Sequence, residues 1–350
     1  MEQPVLKLAL LGFSAADKRD ITQAIGQTGE SWPTWELVDF EQADAWCIHG
    51  AAVKRLQGNT VQVRTLQGSQ PLISLDPRDI TRPIAFTEPM PAGLEGVHMV
   101  NLRSPQLLRV GLQRFEGWLR LLRAQFALGS VLVERQAELK KGIHHVLDAH
   151  GKLLAVVNLM KWTVALLPNV RPIDFDHANW AQRPNMAADI PAGFTVTSVT
   201  QLMWTYAVRT TQDVLPARYR RDMVYLRMLP QLPAGLLQDE HLVTLRALST
   251  APAKFADLLA TTQLSSTVLA RSLAALYFAG AVTTQKTLLG QAVRSASPLG
   301  EQSSLPPDSG TPSEFFTADG PENSDAPQPT ASLKLYDATA PAPLFSPKFF

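Results

Sequence analysis

The stretch that most narrows what this chain can fold into is the series of short apolar runs between residues 5 and 90. Residues 6–13 (LKLALLGF) are apolar almost without interruption. That is the pattern of a strand covered on both faces, not of one with a wet side. Ser14 is placed to cap a helix through Ile25, whose apolar face holds Ile21, Ala24 and Ile25. Residues 35–40 (WELVDF), 44–48 (DAWCI), 71–75 (PLISL) and 83–87 (PIAFT) read as four further strands. Apolar strands interleaved with helical and polar connections predict an α/β domain over 1–92, with a parallel sheet covered on both sides. The first turn, Gly12-Phe13-Ser14, lacks GxGxxG, so nothing there supports dinucleotide binding.

In its strand spacing and its closing segment IAFTEPM, this stretch resembles a receiver domain of two-component response regulators. The resemblance implies acidic residues after the first strand and a phosphoryl-accepting aspartate ending the third. It also implies Ser or Thr ending the fourth strand and Lys-Pro ending the fifth. Here the first strand ends Leu11-Gly12-Phe13, and the third ends Cys47-Ile48-His49-Gly50 with Asp44 at its start. Ser74 matches the hydroxyl position, and Glu88-Pro89 replaces Lys-Pro. Phosphoryl transfer needs the aspartate, a carboxylate-held Mg²⁺ and a lysine against the developing charge. The resemblance therefore implies a pseudo-receiver, a docking or dimerisation module that cannot be phosphorylated. Another small α/β domain would carry the same strand pattern.

Residues 104–140 predict one long helix, broken near Gly129. Ser104-Pro105 gives a cap with proline at the first helical position. Leu108, Leu112, Phe115, Leu119, Leu122 and Phe126 recur at helical spacing, and Leu107, Val110, Trp118 and Leu121 widen the stripe. Burial in a core, a connection between domains, a homodimer contact and a membrane-surface helix all fit such a stripe. Residues 141–232 predict an α+β domain. It begins with an antiparallel meander, 143–148, 152–158 and 162–167, turning at Ala149-His150-Gly151. A short helix capped by Asp174 or Asp176 and holding His177, Ala178 and Trp180 should follow. Then come a helix over 197–213, with Val199, Leu202, Met203 and Tyr206 inward, and a strand over 223–229 (MVYLRML).

Residues 236–288 hold three helical segments and a β tail. Leu242, Leu245 and Leu248 share a face, Ala251-Pro252 breaks that helix, and 253–260 forms a second. Ser265 or Ser266 caps a third, with Leu269, Leu273, Leu276 and Tyr277 inward. Gly280 stops it before β-prone 281–284. This order resembles a winged helix, a unit that binds DNA in some proteins and other proteins elsewhere. Ser266, Thr267 and Arg271 are its candidate nucleic-acid contacts. With Arg271 the lone cation of the third helix, partner binding or packing is the favoured use.

Residues 291–350 hold ten of the chain's 26 prolines, with three basic and seven acidic residues. That composition buries too little apolar surface to offset ordering, which predicts a disordered tail. Its net −4 leaves +5 on residues 1–290 of the overall +1, a mild charge that neither demands nor excludes nucleic acid. Leu335, Tyr336, Leu344, Phe345, Phe349 and Phe350 bring anchors back on a proline-stiffened frame. They are candidate partner contacts of the groove-docking kind; self-docking and a featureless end are the alternatives.

Chemistry-bearing patterns are sparse. His144, His145, Asp148 and His150 concentrate metal-ligand types, but adjacent strand residues face opposite sides and no metal motif is matched. GxSxG and GxxxxGK[ST] are absent, and the single Cys47 lies in an apolar strand. One cysteine permits no intramolecular disulfide, which points to a reducing cytoplasm. No apolar run approaches the roughly 20 residues of a membrane span. Arg209, Arg218, Arg220, Arg221 and Arg227 form the strongest basic cluster, with Tyr219 and Tyr225 for stacking. Arg218, Arg220 and Arg221 are its candidate partner contacts; a solvated face with local ion pairs is the plainer reading. The sequence thus predicts a cofactor-free, non-enzymatic cytoplasmic regulatory or signalling scaffold acting on other proteins. A winged-helix DNA-binding regulator is the alternative.

Overall fold

The computed structural model describes residues 2–26, 33–56, 60–64, 73–75, 82–89, 98–101, 104–183, 190–233 and 235–288. The tail anchors, Leu335 to Phe350, lie outside them.

The chain opens with β1 (Val5–Leu11), α1 (Ala15–Gly26), β2 (Thr34–Leu37) and β3 (Ala45–His49). Then come β4 (Val53–Arg55), β5 (Val61–Val63), β6 (Ile73–Leu75) and β7 (Ile84–Thr87). A parallel sheet runs in the order β2-β1-β3-β7. The continuous apolar run of β1 serves both faces of this sheet. Leu6, Leu8 and Leu10 join Ile21, Ile25 and Cys47 on one side, while Leu11 joins Ile48, Ile84 and Phe86 on the other.

The expected fourth parallel strand is not there. Residues 73–75 belong to a separate antiparallel sheet, β4-β5-β6. A parallel strand requires a crossover of a dozen residues or more, yet only the three-residue turn Gly50–Ala52 separates β3 from β4. The chain therefore doubles back locally. Val53, Val61, Val63 and Leu75 of this small sheet cover the second face of the parallel sheet, where helices were expected. Among the described residues, helices cover the first face only.

α2 (Pro105–Trp118) starts as the sequence indicates: the Ser104 hydroxyl accepts from the Leu107 amide at 3.3 Å. The helix breaks at Leu119 (φ −85, ψ 18), and α3 (Arg120–Glu134) continues from there. Gly129 is not the break. It lies inside α3, where a Cβ would stand 2.8 Å from that of Tyr206, so its hydrogen lets the next helix approach closely. Leu108, Leu112 and Phe115 of α2 pack under the parallel sheet, whereas Ala124, Phe126, Leu128 and Leu132 of α3 enter a second, larger cluster.

That cluster begins with an antiparallel sheet of β8 (Ile143–Leu147), β9 (Leu153–Asn158), β10 (Thr163–Leu166), β11 (Asn179–Arg183) and β12 (Thr195–Ser198), in the order β11-β8-β9-β10-β12. The expected meander is its centre. Gly151 takes φ +80 in the first turn, and the Asp148 carboxylate accepts the amides of His150 and Lys152 at 2.8 and 2.9 Å. The expected helix through His177 and Trp180 is instead a single 3₁₀ turn, Pro172–Phe175, after which Trp180 lies on β11. α4 (Val199–Ala207), capped by Ser198, is shorter than expected. Its Val199, Leu202, Met203 and Tyr206 are buried as the periodicity requires.

The chain ends its described part with α5 (Arg218–Arg221), β13 (Tyr225–Leu226), α6 (Asp239–Thr250), α7 (Phe255–Thr262), α8 (Ser266–Phe278) and β14 (Val282–Thr283). Only Tyr225–Leu226 of the expected strand 223–229 pairs, and it pairs with β14. Val224 adds a bridge to Ala253 between α6 and α7. α8 packs on α4, α6 and α7 within the cluster that also contains the β8–β10 side chains. The stretches 141–232 and 236–288 therefore share one apolar core. Among the described residues no helix is long and apolar enough to cross a membrane.

Candidate functional site

The carboxyl ends of β1, β3 and β7 face a cleft of about 570 Å³, lined by Phe13, Asp17, Asp20, His49, Thr87, Glu88, Asn101 and Ser104. In an open sheet whose strand order reverses between β1 and β3, this is the edge where ligands bind. α1 brings its carboxylates to the cleft through its N-terminal cap. Ser14 Oγ donates to Asp17 Oδ2 at 2.6 Å, and the Asp17 amide returns a bond to Ser14 Oγ at 3.1 Å. The Ser14 hydroxyl, together with the Ser14 amide that donates to Asp17 Oδ2 at 3.2 Å, holds the Asp17 carboxyl below its usual range, with His49 adding to the effect. Phe13 meets the His49 ring edge-on, centroids 5.1 Å apart.

The rim is tightly built. A Cβ on Gly50 would fall 2.2 Å from the carbonyl oxygens of both Thr87 and Pro89. Only glycine allows the end of β3 to lie against the end of β7.

The chemistry of the lining is acidic. Asp17, Asp20 and Glu88 face it with one imidazole and no lysine or arginine among its described residues. β3 delivers His49 at its end. Asp44 lies at the opposite edge of the sheet, engaged by Arg209: Nη1 and Nη2 each donate to a separate carboxylate oxygen at 2.6 Å. Ser74, the expected hydroxyl of a fourth parallel strand, is exposed on β6 in the antiparallel sheet and does not line the cleft. The sequence reading overlooked Asp17 and Asp20, although Ser14-x-x-Asp17 is a visible capping signal.

The arginine cluster is distributed rather than gathered. Arg209 ties β1 and β3 to the end of α4, its Nη1 also donating to the Val5 carbonyl at 3.1 Å. Arg218 lies over the rings of Tyr219 and Tyr277 at 5.5 and 6.0 Å. Burial raises both phenols' pKa values. Arg220 pairs with Asp213 and covers Phe255 at 4.9 Å. Arg227 is half-buried, and its pKa is lowered by that burial. Arg221 alone of the three named partner candidates is exposed, and Tyr225 is half-buried on β13.

Ser266 and Thr267 are exposed on the first turn of α8, and Arg271 is half-buried. From Ser272 to Phe278 every residue is buried. A recognition helix needs an open face to enter a groove, and the neighbouring helices leave α8 open only up to Arg271. His144 and His145 do face opposite sides of β8: His144 is buried with Nε2 against the Lys140 carbonyl at 2.8 Å, while His145 is half-buried. Among the described residues no three His, Cys, Asp or Glu side chains are grouped to hold a metal. Cys47 is buried, which pushes its thiol up to about 12 and leaves it unreactive at neutral pH.

No protein-family model, curated protein or solved structure matches this chain.

Proposed function

We propose that the chain is a non-enzymatic cytoplasmic regulatory or signalling scaffold that works through protein–protein interactions. The supporting observation is the carboxyl-end cleft. Where a receiver-like domain would run phosphoryl chemistry, this cleft has His49 at the end of β3, Glu88 at the end of β7 and no lysine among its described lining. An incoming phosphoryl group would meet Asp17, Asp20 and Glu88 with no lysine or arginine among the described lining residues to neutralise it. The domain is then a pseudo-receiver kept for docking. The exposed Arg221 and the anchors Leu335, Tyr336, Leu344, Phe345, Phe349 and Phe350 are its proposed partner contacts. Deleting 333–350 leaves the unfolding transition of the chain unchanged and removes one partner from a pull-down; an unchanged partner set contradicts the role of those anchors.

The rival is a DNA-binding regulator led by the exposed Ser266 and Thr267 of α8. Fluorescence anisotropy of labelled duplexes with the full chain, titrated with salt, separates the two. The scaffold reading expects no binding at about 50 mM salt, a concentration at which phosphate contacts are strong. Binding that weakens steeply with salt supports the rival.

A further inference from the structure

The cleft at the carboxyl ends of β1, β3 and β7 has an apolar floor beneath its acidic rim. Ile21, Val100 and Leu108 are buried where they line it, while Asp17, Asp20 and Glu88 line it from exposed positions. Its volume of about 570 Å³ falls within the roughly 300–1,000 Å³ of sites that enclose a small molecule. One wall is preformed, because the Gly50 backbone lies directly against the Thr87 and Pro89 carbonyls.

A buried group in that wall points to a ligand independently of the carboxylates. Thr87 is 6% exposed and lines the cleft. Its hydroxyl accepts from the Gly50 amide at 3.4 Å and makes no other hydrogen bond among the described residues. The hydroxyl hydrogen is left over, and an unmet buried donor is costly. A ligand oxygen in the cleft satisfies it.

The lining selects the rest of the ligand. Three carboxylates, with no lysine or arginine among the described lining residues, attract a cation and repel an anion. A bare metal ion does not fit, since no three His, Cys, Asp or Glu side chains among the described residues are grouped to hold one. The buried floor calls for an apolar body. Thr87 and Glu88 are consecutive, so the oxygen and the positive charge of the ligand lie close together.

We propose that the cleft binds a primary ammonium ion with an apolar body and a neighbouring oxygen. The ammonium lies among Asp17, Asp20 and Glu88, the oxygen accepts from the Thr87 hydroxyl, and the apolar body covers Ile21, Val100 and Leu108. The assignment rests on the reading of the cleft as closed to phosphoryl groups, which acetyl phosphate labelling tests separately.

The test is calorimetric titration of the full chain with phenylalaninol, its neutral N-acetyl form and phenethylamine, which lacks the oxygen. Phenylalaninol binds about tenfold or more tightly than the N-acetyl form and several-fold more tightly than phenethylamine. Asp17 is engaged by Ser14, so the carboxylate to neutralise is Asp20, one turn along α1 and exposed. Asp20→Asn weakens phenylalaninol several-fold and leaves the N-acetyl form unmoved. Ala24→Trp, which fills the cleft from α1, removes binding. Equal affinities for phenylalaninol and either analogue overturn the proposal. So does binding that both substitutions leave unchanged, or no binding at millimolar concentration.

Discussion

Replacing Arg209 with alanine should loosen the parallel sheet from the helical core. Arg209 makes two charge-assisted bonds of 2.6 Å to Asp44 and one of 3.1 Å to the Val5 carbonyl. The two side chains keep only 12 and 9% exposure. Removing one partner of a buried pair costs about 3–5 kcal/mol, because the other charge stays behind without compensation. Asp44 retains one bond, from the Lys7 amide at 2.9 Å, which places the expected loss near the lower end, about 3 kcal/mol. Asp44→Leu with Arg209→Met removes both charges and should recover most of that loss. Urea unfolding of the parent, Asp44→Leu, Arg209→Met and the double variant, followed by far-ultraviolet circular dichroism, closes the double-mutant cycle, with a coupling of about 2 kcal/mol expected. Additive single losses, or an Arg209→Ala loss below about 1 kcal/mol, would refute the idea that this pair latches the two clusters together.

Two further perturbations follow from buried groups. His241 is 1% exposed, its Nδ1 accepts the Gln238 amide at 3.1 Å, and burial lowers its pKa to about 4. Between that value and its ordinary 6.5 the unfolded chain binds a proton that the folded chain refuses. Stability therefore falls as pH drops through this window, by up to about 3 kcal/mol. Denaturation at pH 7 and pH 4.5 should show His241→Gln losing less than the parent; equal losses would remove His241 from the cause. At the cleft rim, Gly50→Ala forces a methyl onto the Thr87 and Pro89 carbonyls and should cost about 2 kcal/mol. A neutral Gly50→Ala in the same assay would mean that the β3–β7 rim yields freely.

Local pattern made parts of this fold legible. The two-faced apolar run of β1, the Ser104 cap and the Gly151 turn each obey rules that act within a few residues. The failures have a common physical origin. A three-residue strand such as β6 carries no record of its partner or direction, so its sheet was misassigned. The α2–α3 break at Leu119 interrupts a continuous apolar helical pattern, and its one local mark, Gly117 two residues earlier, is a residue that helices also tolerate. The Asp44–Arg209 pair joins residues 165 apart, a separation at which neither residue advertises the other. The burial of α8 was visible in principle: LARSLAALYFAG is apolar nearly all round, which marks a helix covered on several sides. The acidic cleft was half-legible, since Glu88 was noticed and the α1 carboxylates were passed over.

The most direct test of a docking module without phosphoryl chemistry is to incubate the full chain with acetyl phosphate and Mg²⁺ and to weigh the intact protein. The expected result is an unchanged mass, with no base-labile phosphoryl adduct on residues 1–92. One phosphoryl group gained on Asp17, Asp20 or another carboxylate of the cleft would contradict it.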